Sequence, residues 1–167
     1  KTDVGIIGMT HFSVQEKFWG YRYVQKSFAD RFKYGKSVDM GVNAFYSINK
    51  TLSFDAGIVN GEGYSQLQND NYFEYTAGAT VQWPKPITWR LYTNVGPSAT
   101  NTKMVYATFA GITFTPKWNL GLEYNLLQNY NYRDGYNQFG YSVFSTYKLP
   151  RNMKVFGRFD MTKSNIL

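Results

Sequence analysis

The sequence has no cysteine, a single histidine and no long run of apolar residues. A membrane-spanning helix needs roughly 18 or more consecutive apolar residues, so none is predicted. One histidine without cysteine offers no metal-ligand constellation, and His11 has no identifiable catalytic partners. We therefore expect no enzyme activity, no metal and no cofactor. The sequence also lacks RNP-like, zinc-finger and helix-turn-helix signatures, so nucleic acid is not an expected partner.

Charge is scarce as well, while aromatic residues are abundant. Charged residues make up 17% of the chain and aromatic residues 19%, with a net charge of +7. A typical soluble domain carries about a quarter charged residues. Low charge, many aromatic residues and no long apolar run fit the wall of a transmembrane β-barrel, in which half of each strand faces water.

An alternation of apolar and polar residues recurs along the chain. In residues 37–49, Val38, Met40 and Val42 alternate with Asp39 and Asn43. Successive side chains of a strand point to opposite faces, so this pattern predicts one apolar and one polar face. Similar segments predict nine strands, which span residues 4–12, 37–49, 51–60, 72–83, 87–96, 103–115, 118–129, 136–149 and 153–161.

The connections between these segments alternate in length. Long connections are predicted after the first, third, fifth and seventh strands, at residues 14–36, 61–71, 97–102 and 130–135. Short turns follow the even-numbered strands, and three of them contain proline: Pro84-Lys85-Pro86, Pro116-Lys117 and Pro150-Arg151-Asn152. This alternation is typical of a transmembrane barrel, with tight turns at one membrane face and loops at the other. Aromatic residues near the turns, such as Trp83 and Trp118, are expected at the membrane interface.

The predicted fold is therefore an all-β, antiparallel transmembrane β-barrel. Bacterial barrels close with an even number of strands, and nine is odd. We expect residues 1–167 to be part of a single larger barrel, a fragment of about nine strands that does not close into a ring by itself.

Residues 14–35 break the alternation. Tyr21, Val24, Phe28 and Phe32 recur at helical spacing, which predicts one short amphipathic helix in a loop. A helix with an apolar face on the wall and a basic face towards water would narrow a pore and favour anions. The predicted constriction consists of Lys17, Arg22, Lys26, Arg31 and Lys33. A helix on the outer surface of the loop is the alternative.

The run HFSVQEKFWGYRYVQKSF, followed by KYGKSVDMGV and aromatic hairpins, resembles outer-membrane porins of the Bacteroidota type, which are related in style to phosphate-selective porins. The resemblance implies passive diffusion of small hydrophilic solutes through a pore of roughly sixteen strands. It also implies a location in the cell outer membrane, contact with membrane lipid and lipopolysaccharide, and commonly a trimer.

The polar face of the predicted wall carries charges of both signs. Such charges tune selectivity in a water-filled lumen, and they also pair across strands to hold the wall together. The residues predicted to line the lumen are Asp39, Asp55, Glu74, Arg90, Glu123, Lys148, Lys154 and Arg158. The expected function is an outer-membrane porin with a weak preference for anions. The alternative is a structural or interaction barrel within an outer-membrane complex.

Overall fold

The structure is a computed structural model and describes residues 1–66, 68, 70–83, 86–151 and 153–165. These residues form one antiparallel sheet of nine strands in sequential order. The strands are β1 (Thr2–Gly8), β2 (Val38–Ser47), β3 (Leu52–Val59), β4 (Glu74–Gln82), β5 (Ile87–Pro97), β6 (Thr102–Thr115), β7 (Trp118–Gln128), β8 (Gln138–Lys148) and β9 (Lys154–Ser164). All nine predicted strands are confirmed, with ends shifted by a few residues.

The sheet is open. Each strand pairs with its neighbours in the chain, and among the described residues β1 and β9 do not pair with each other. The all-β antiparallel class is thus confirmed, whereas a closed barrel is not shown. Among the described residues, no helix combines the length and apolarity that crossing a membrane would require.

The connections only partly follow the predicted alternation in length. Those after β1, β3 and β7 are long, as predicted. The long connection predicted after β5 is wrong, because only residues 98–101 lie between β5 and β6, and they form a short turn. In this turn the Ser98 hydroxyl oxygen accepts a hydrogen bond from the backbone N–H of Asn101, and the hydroxyl donates one to the Asn101 carbonyl. Pro84, Lys85 and Asn152, which belong to two predicted turns, lie outside the described residues.

The two faces of the sheet differ in composition and in what covers them. One face, here called the apolar face, presents large side chains such as Val4 and Ile58, which are 74% and 50% exposed. The register aligns these positions from strand to strand, for example Val42 with Ile58 and Ile58 with Tyr75. The other face, here called the covered face, bears Asp39, Asp55 and most of the charged strand residues, and it lies under the β1–β2 connection.

That connection, residues 9–37, is here called the crossing segment. It contains two short helices, α1 (Ser13–Trp19) and α2 (Phe28–Arg31). The single helix predicted across residues 14–35 is therefore wrong. Gly20 ends α1 in the left-handed region at φ 72°, and its N–H donates to the Glu16 carbonyl. The helical spacing continues past a glycine that stops the helix, which is why the periodicity overestimated its length.

The buried core lies between the crossing segment and the covered face. One cluster contains Phe12, Phe28 and Tyr34 packed on Val59, Val105 and Leu127 of the sheet. A second contains Trp19 and Tyr21 packed on Phe109 and Phe144. The crossing segment extends from β1 to β9 and back to β2, since Trp19 and Tyr21 contact Phe156 of β9. The molecule thus buries polar strand residues and exposes an apolar sheet face.

Candidate functional site

Arg90 is the centre of a buried ion pair on the covered face. Its Nη1 lies 2.8 Å and its Nη2 3.1 Å from the two carboxylate oxygens of Asp55, and both side chains are almost fully buried. Nη1 also donates to the hydroxyl of Thr80, and Nη2 donates to the Thr10 carbonyl at 3.0 Å. Gly78 lies beside the pair, where a Cβ would collide with both partners. Arg90 thus ties the wall to the start of the crossing segment.

His11 fastens the next part of the crossing segment. Its ring is stacked between Phe12 and Tyr92, with centroids 4.9 and 4.7 Å away. The Asn125 amide N–H donates to Glu123, so the Asn125 oxygen accepts a hydrogen bond from His11 Nε2 at 2.7 Å. Burial lowers the pKa of His11 to about 4, the Asn125 hydrogen bond opposes this, and the nearby Arg90 charge lowers it further. His11 is therefore neutral at pH 7.

Aromatic rings support α1 at the short-turn end of the covered face. Phe18 meets Phe109 edge-on at 5.4 Å, and Trp19 meets Phe144 in the same way at 5.1 Å. Glycines in the strands beneath make room for these rings. A Cβ at Gly111 would lie 2.6 Å from the Phe18 ring, and one at Gly121 would overlap the Phe144 ring. The covered face of the sheet therefore has the space that this helix and its aromatic side chains occupy.

A cavity of about 260 Å³ remains between the crossing segment and the sheet at the long-loop end. Lys33 and Lys36 of the segment, Lys103 and Glu74 of the sheet, and Tyr130 contribute to its lining. Lys103 and Glu74 form an ion pair, and Asn94 donates to Glu74 at 2.8 Å. Burial lowers the pKa of Lys36. The lining combines charges of both signs with apolar side chains such as Val105 and Leu127, and the cavity has room for a few water molecules or a small solute.

The predicted lumen residues divide into two groups. Asp39, Asp55, Glu74, Arg90, Glu123 and Arg158 lie on the covered face, buried and engaged with neighbouring groups. Lys148 and Lys154 lie opposite each other at the short-turn end and are exposed. The first group makes its contacts mainly within the sheet and its loops, and Arg90 and Arg158 also donate to the Thr10 and Lys26 carbonyls of the crossing segment. The second group borders solvent.

The predicted constriction residues are not brought together as one basic face. Three of them are neutralised by ion pairs: Arg22 with Glu16 and Asp30, Lys26 with Asp30, and Arg31 with Asp160. Lys17 and Lys33 are exposed and have no ion pair within the described part of the chain. The positive charge of the crossing segment is thus smaller than the sequence indicated.

Several residues of this site were not identified as such from the sequence. From the sequence a lone histidine is expected to be a packed or solvated residue more often than a catalytic one, but the pattern does not predict which residues pack on His11. One signal was present, because Phe109 interrupts the polar positions of its strand. An aromatic residue on a polar face indicates that something covers it, and here that is α1. Phe144 carries the same signal one hairpin further on.

No group of three or more potential metal ligands occurs among the residues that the structure describes. No protein-family model matches the chain, and no curated protein or solved structure matches it either. The functional argument consequently relies on the geometry of the sheet and the crossing segment.

The environment of His11 gives a pH-dependent stability. Because the pKa of His11 in the folded state, about 4, lies below its ordinary value of 6.5, this side chain binds more protons in the unfolded chain than in the folded one between these pH values. The contribution of neutral His11 to the free energy of unfolding is therefore complete above pH 6.5. It is lost as the pH falls towards 4, by roughly 3 kcal/mol in all.

Replacing His11 by glutamine keeps an N–H donor for Asn125 but removes the titration. In guanidinium unfolding of the folded chain, we expect a smaller loss of stability between pH 7 and pH 4 for His11→Gln than for the wild type. Parallel pH profiles for the two proteins would contradict this assignment.

The role of the glycines beneath the aromatic rings can be tested by adding a side chain at one of them. Gly121→Leu displaces the Phe144 ring that supports Trp19, and overpacking of this kind costs about 1–3 kcal/mol. If this cost loosens the crossing segment, trypsin cleavage after Lys17 and Arg22 should accelerate by roughly 10- to 100-fold. Gly157→Leu is the matched control, because a Cβ at Gly157 meets nothing within 4 Å. Equal cleavage rates in the two variants would contradict the proposed packing.

Proposed function

We propose that the chain is part of the wall of an outer-membrane porin, a transmembrane β-barrel that lets small hydrophilic solutes diffuse passively. In this proposal the apolar face contacts lipid, the covered face lines the lumen, and the crossing segment narrows the pore. A trimeric assembly, implied by the resemblance, is part of the same proposal.

The observation that carries the proposal is the inverted distribution of polarity. The apolar face presents large exposed side chains on all nine strands, including Val4, Val42, Phe54, Tyr75, Leu91, Tyr106, Leu122, Val143 and Phe159. Monomeric soluble proteins rarely expose a continuous apolar surface larger than a few hundred Å². A hydrocarbon environment removes that cost, and the buried ion pairs on the opposite face fit a wall that borders a polar interior.

Aromatic side chains form two belts on the apolar face. The belt near the short turns contains Tyr46, Phe54, Trp118 and Tyr147, and the belt near the long loops contains Tyr75, Tyr106, Tyr124 and Tyr141. Aliphatic and small residues such as Ala79, Leu91 and Leu122 lie between them. Membrane interfaces favour aromatic residues at the two boundaries of an apolar band, as seen here.

Both belts run diagonally to the strands. Successive cross-strand partners lead from Tyr46 of β2 to Tyr141 of β8. The residue of the Tyr46 belt on β8 is instead Tyr147, six residues nearer the short turn. In the other belt, successive partners lead from Tyr75 of β4 to Gln128 of β7. The residue of that belt on β7 is Tyr124, four residues further from the long loop. Each belt therefore descends in the same direction, by about one residue per strand.

This offset gives a strand tilt. One residue of strand rises about 3.3 Å and neighbouring strands lie about 4.8 Å apart, so belts parallel to a membrane plane require a tilt of roughly 35°. Transmembrane barrels have strand tilts of about 35–45°. The belts and the register therefore agree with one membrane orientation, which supports the proposal.

The ion pairs of the crossing segment limit the expected selectivity. Glu16, Asp30 and Asp160 pair with three of the proposed constriction cations, which leaves Lys17 and Lys33 as the ones without an ion pair among the described residues. A focused field in a narrow pore requires a net charge. We therefore propose only a weak preference for anions.

A structural barrel within a larger complex is the second candidate. The close packing of the crossing segment on the wall favours it, since Phe28, Ala29 and Tyr34 are at most 1% exposed. A segment held this firmly could seal a lumen. The two candidates share the same wall and differ in whether water passes.

Single-channel recording of the full-length protein in planar bilayers separates the candidates. A porin gives an open, ohmic conductance that rises with salt concentration, with a reversal potential close to zero and slightly towards anions. A protein that inserts but carries no current would favour the structural barrel and contradict the porin.

A further inference from the structure

The short turns of the sheet carry a concentration of positive charge. Here the short-turn rim denotes Lys50 between β2 and β3, Lys117 between β6 and β7, and Lys148, Arg151 and Lys154 around the β8–β9 turn. All five side chains are exposed. None of them has an ion pair with any residue that the structure describes.

Acidic residues are absent from the stretches that form this rim. Residues 46–54, 113–120 and 146–156 contain neither aspartate nor glutamate. At the long-loop end, by contrast, the cations Lys33, Lys36 and Arg133 are balanced by the acids Glu62, Asp70 and Asp134. The excess positive charge is thus located at one end of the sheet.

One pair of these lysines is placed unfavourably in the absence of an anion. Lys148 and Lys154 are direct cross-strand partners at the end of the β8–β9 hairpin. Like charges in this arrangement destabilise a strand pair. Arg151 in the intervening turn adds a third cation, and its backbone has a positive φ of 58°. Three cations within one hairpin end, without an acid, fit an anionic partner.

The neighbouring residues indicate which anion this is. Trp118 and Tyr147 of the aromatic belt directly adjoin Lys117 and Lys148 in the sequence. If the belt lies at the membrane interface, these cations lie at the level of the phosphate groups. Lys148 and Lys154 start on the covered face, but they are the last pair of the hairpin, and their long side chains reach the phosphate groups around the end of the sheet.

We propose that the short-turn rim binds the phosphate groups of anionic phospholipids in the adjacent leaflet. The inference rests on the proposed membrane insertion and adds a lipid class and the end of the sheet that recognises it. One lysine or arginine near an anionic surface corresponds to about a fivefold preference for the charged lipid.

The test measures lipid selectivity at the protein boundary by electron spin resonance. The full chain is reconstituted in phosphatidylcholine bilayers that contain spin-labelled phosphatidylglycerol or spin-labelled phosphatidylcholine. We expect a preference for phosphatidylglycerol of about fivefold at low salt, reduced by 1 M salt because the charges are exposed.

The variant Lys117→Gln/Lys148→Gln/Arg151→Gln removes three of the five rim charges and should bring the preference most of the way to one, since Lys50 and Lys154 remain. The matched triple variant Lys33→Gln/Lys36→Gln/Arg133→Gln removes the same charge from the other end and should retain it. A preference that survives the rim substitutions, or that is lost equally in both variants, would overturn the proposal.

Two further readouts keep this proposal distinct from others. Inorganic phosphate should not abolish the preference, and if it did, the rim would be a site for free anions. A rim variant with altered reversal potential but unchanged lipid preference would show a field acting on permeating ions, and the lipid proposal would be wrong. Protease protection in pure phosphatidylcholine vesicles reports insertion separately, so failure there overturns the proposed function itself.

Discussion

Replacement of Arg90 by methionine should destabilise the fold by roughly 3–5 kcal/mol, because it leaves the buried Asp55 carboxylate without its partner. The pair is desolvated, with 3% of the Arg90 side chain and 7% of that of Asp55 exposed. The substitution also removes the donors to Thr80 and to the Thr10 carbonyl. Denaturant unfolding of the wild type and variant in the same micelles gives the difference directly.

A second substitution distinguishes the ion pair from simple loss of volume. Arg90→Met/Asp55→Asn removes both charges, so it should recover a large part of the stability lost by Arg90→Met alone. Arg133→Met is the control, because Arg133 is exposed, its guanidinium lies over the ring of Tyr136, and it has no ion pair with any described residue. If Arg90→Met behaved like Arg133→Met, the buried pair would not stabilise the wall.

The second large effect concerns the crossing segment. Replacing residues 13–31 by a flexible glycine–serine linker should raise the single-channel conductance at least roughly twofold, because a helix with its side chains occupies a cylinder about 10–12 Å across. The reason is positional: α1 lies over Phe109 and Phe144 on the face proposed to line the lumen. The same replacement exposes the rings of Phe109 and Phe144 and should also lower the thermal stability.

The control for this deletion removes residues 64–66, which are exposed and belong to the connection after β3. That loop does not cross the covered face within the described part of the chain, so its shortening should leave the conductance unchanged. A segment deletion that alters stability but not conductance would place the crossing segment outside the solute path.

The strands were accessible to sequence reasoning because their pattern is local. Alternation at Val38–Met40–Val42 and Leu120–Leu122 specifies which side chains share a face, and turn residues between such runs specify the hairpins. Sequential pairing of hairpins then leaves little freedom in strand order. The apolar face and the nine-stranded sheet could therefore be predicted from the sequence.

The crossing segment could not be predicted at the same level because its structure depends on residues far away in the chain. The apolar side chains Trp19 and Tyr21 pack on Phe144 and Phe156, which lie more than a hundred residues later. Helical periodicity in residues 14–35 therefore reflected contacts with the sheet as much as helix formation. The pairs Arg22–Asp30 and Arg31–Asp160 are not specified by helical periodicity, whereas Lys26–Asp30 has the i, i+4 spacing of helix neighbours.

The central claim is that the apolar face contacts lipid and the opposite face borders water, and one measurement tests it directly. Nitroxide labels are attached to Leu122→Cys and Asn119→Cys, two positions on opposite faces of β7, in the full-length protein in bilayers. We expect the label at position 122 to collide more often with oxygen, which concentrates in lipid, than with a water-soluble nickel chelate. The label at position 119 should show the reverse. Access of the nickel chelate to both positions would contradict the account, since neither face of the sheet would then be in contact with the membrane.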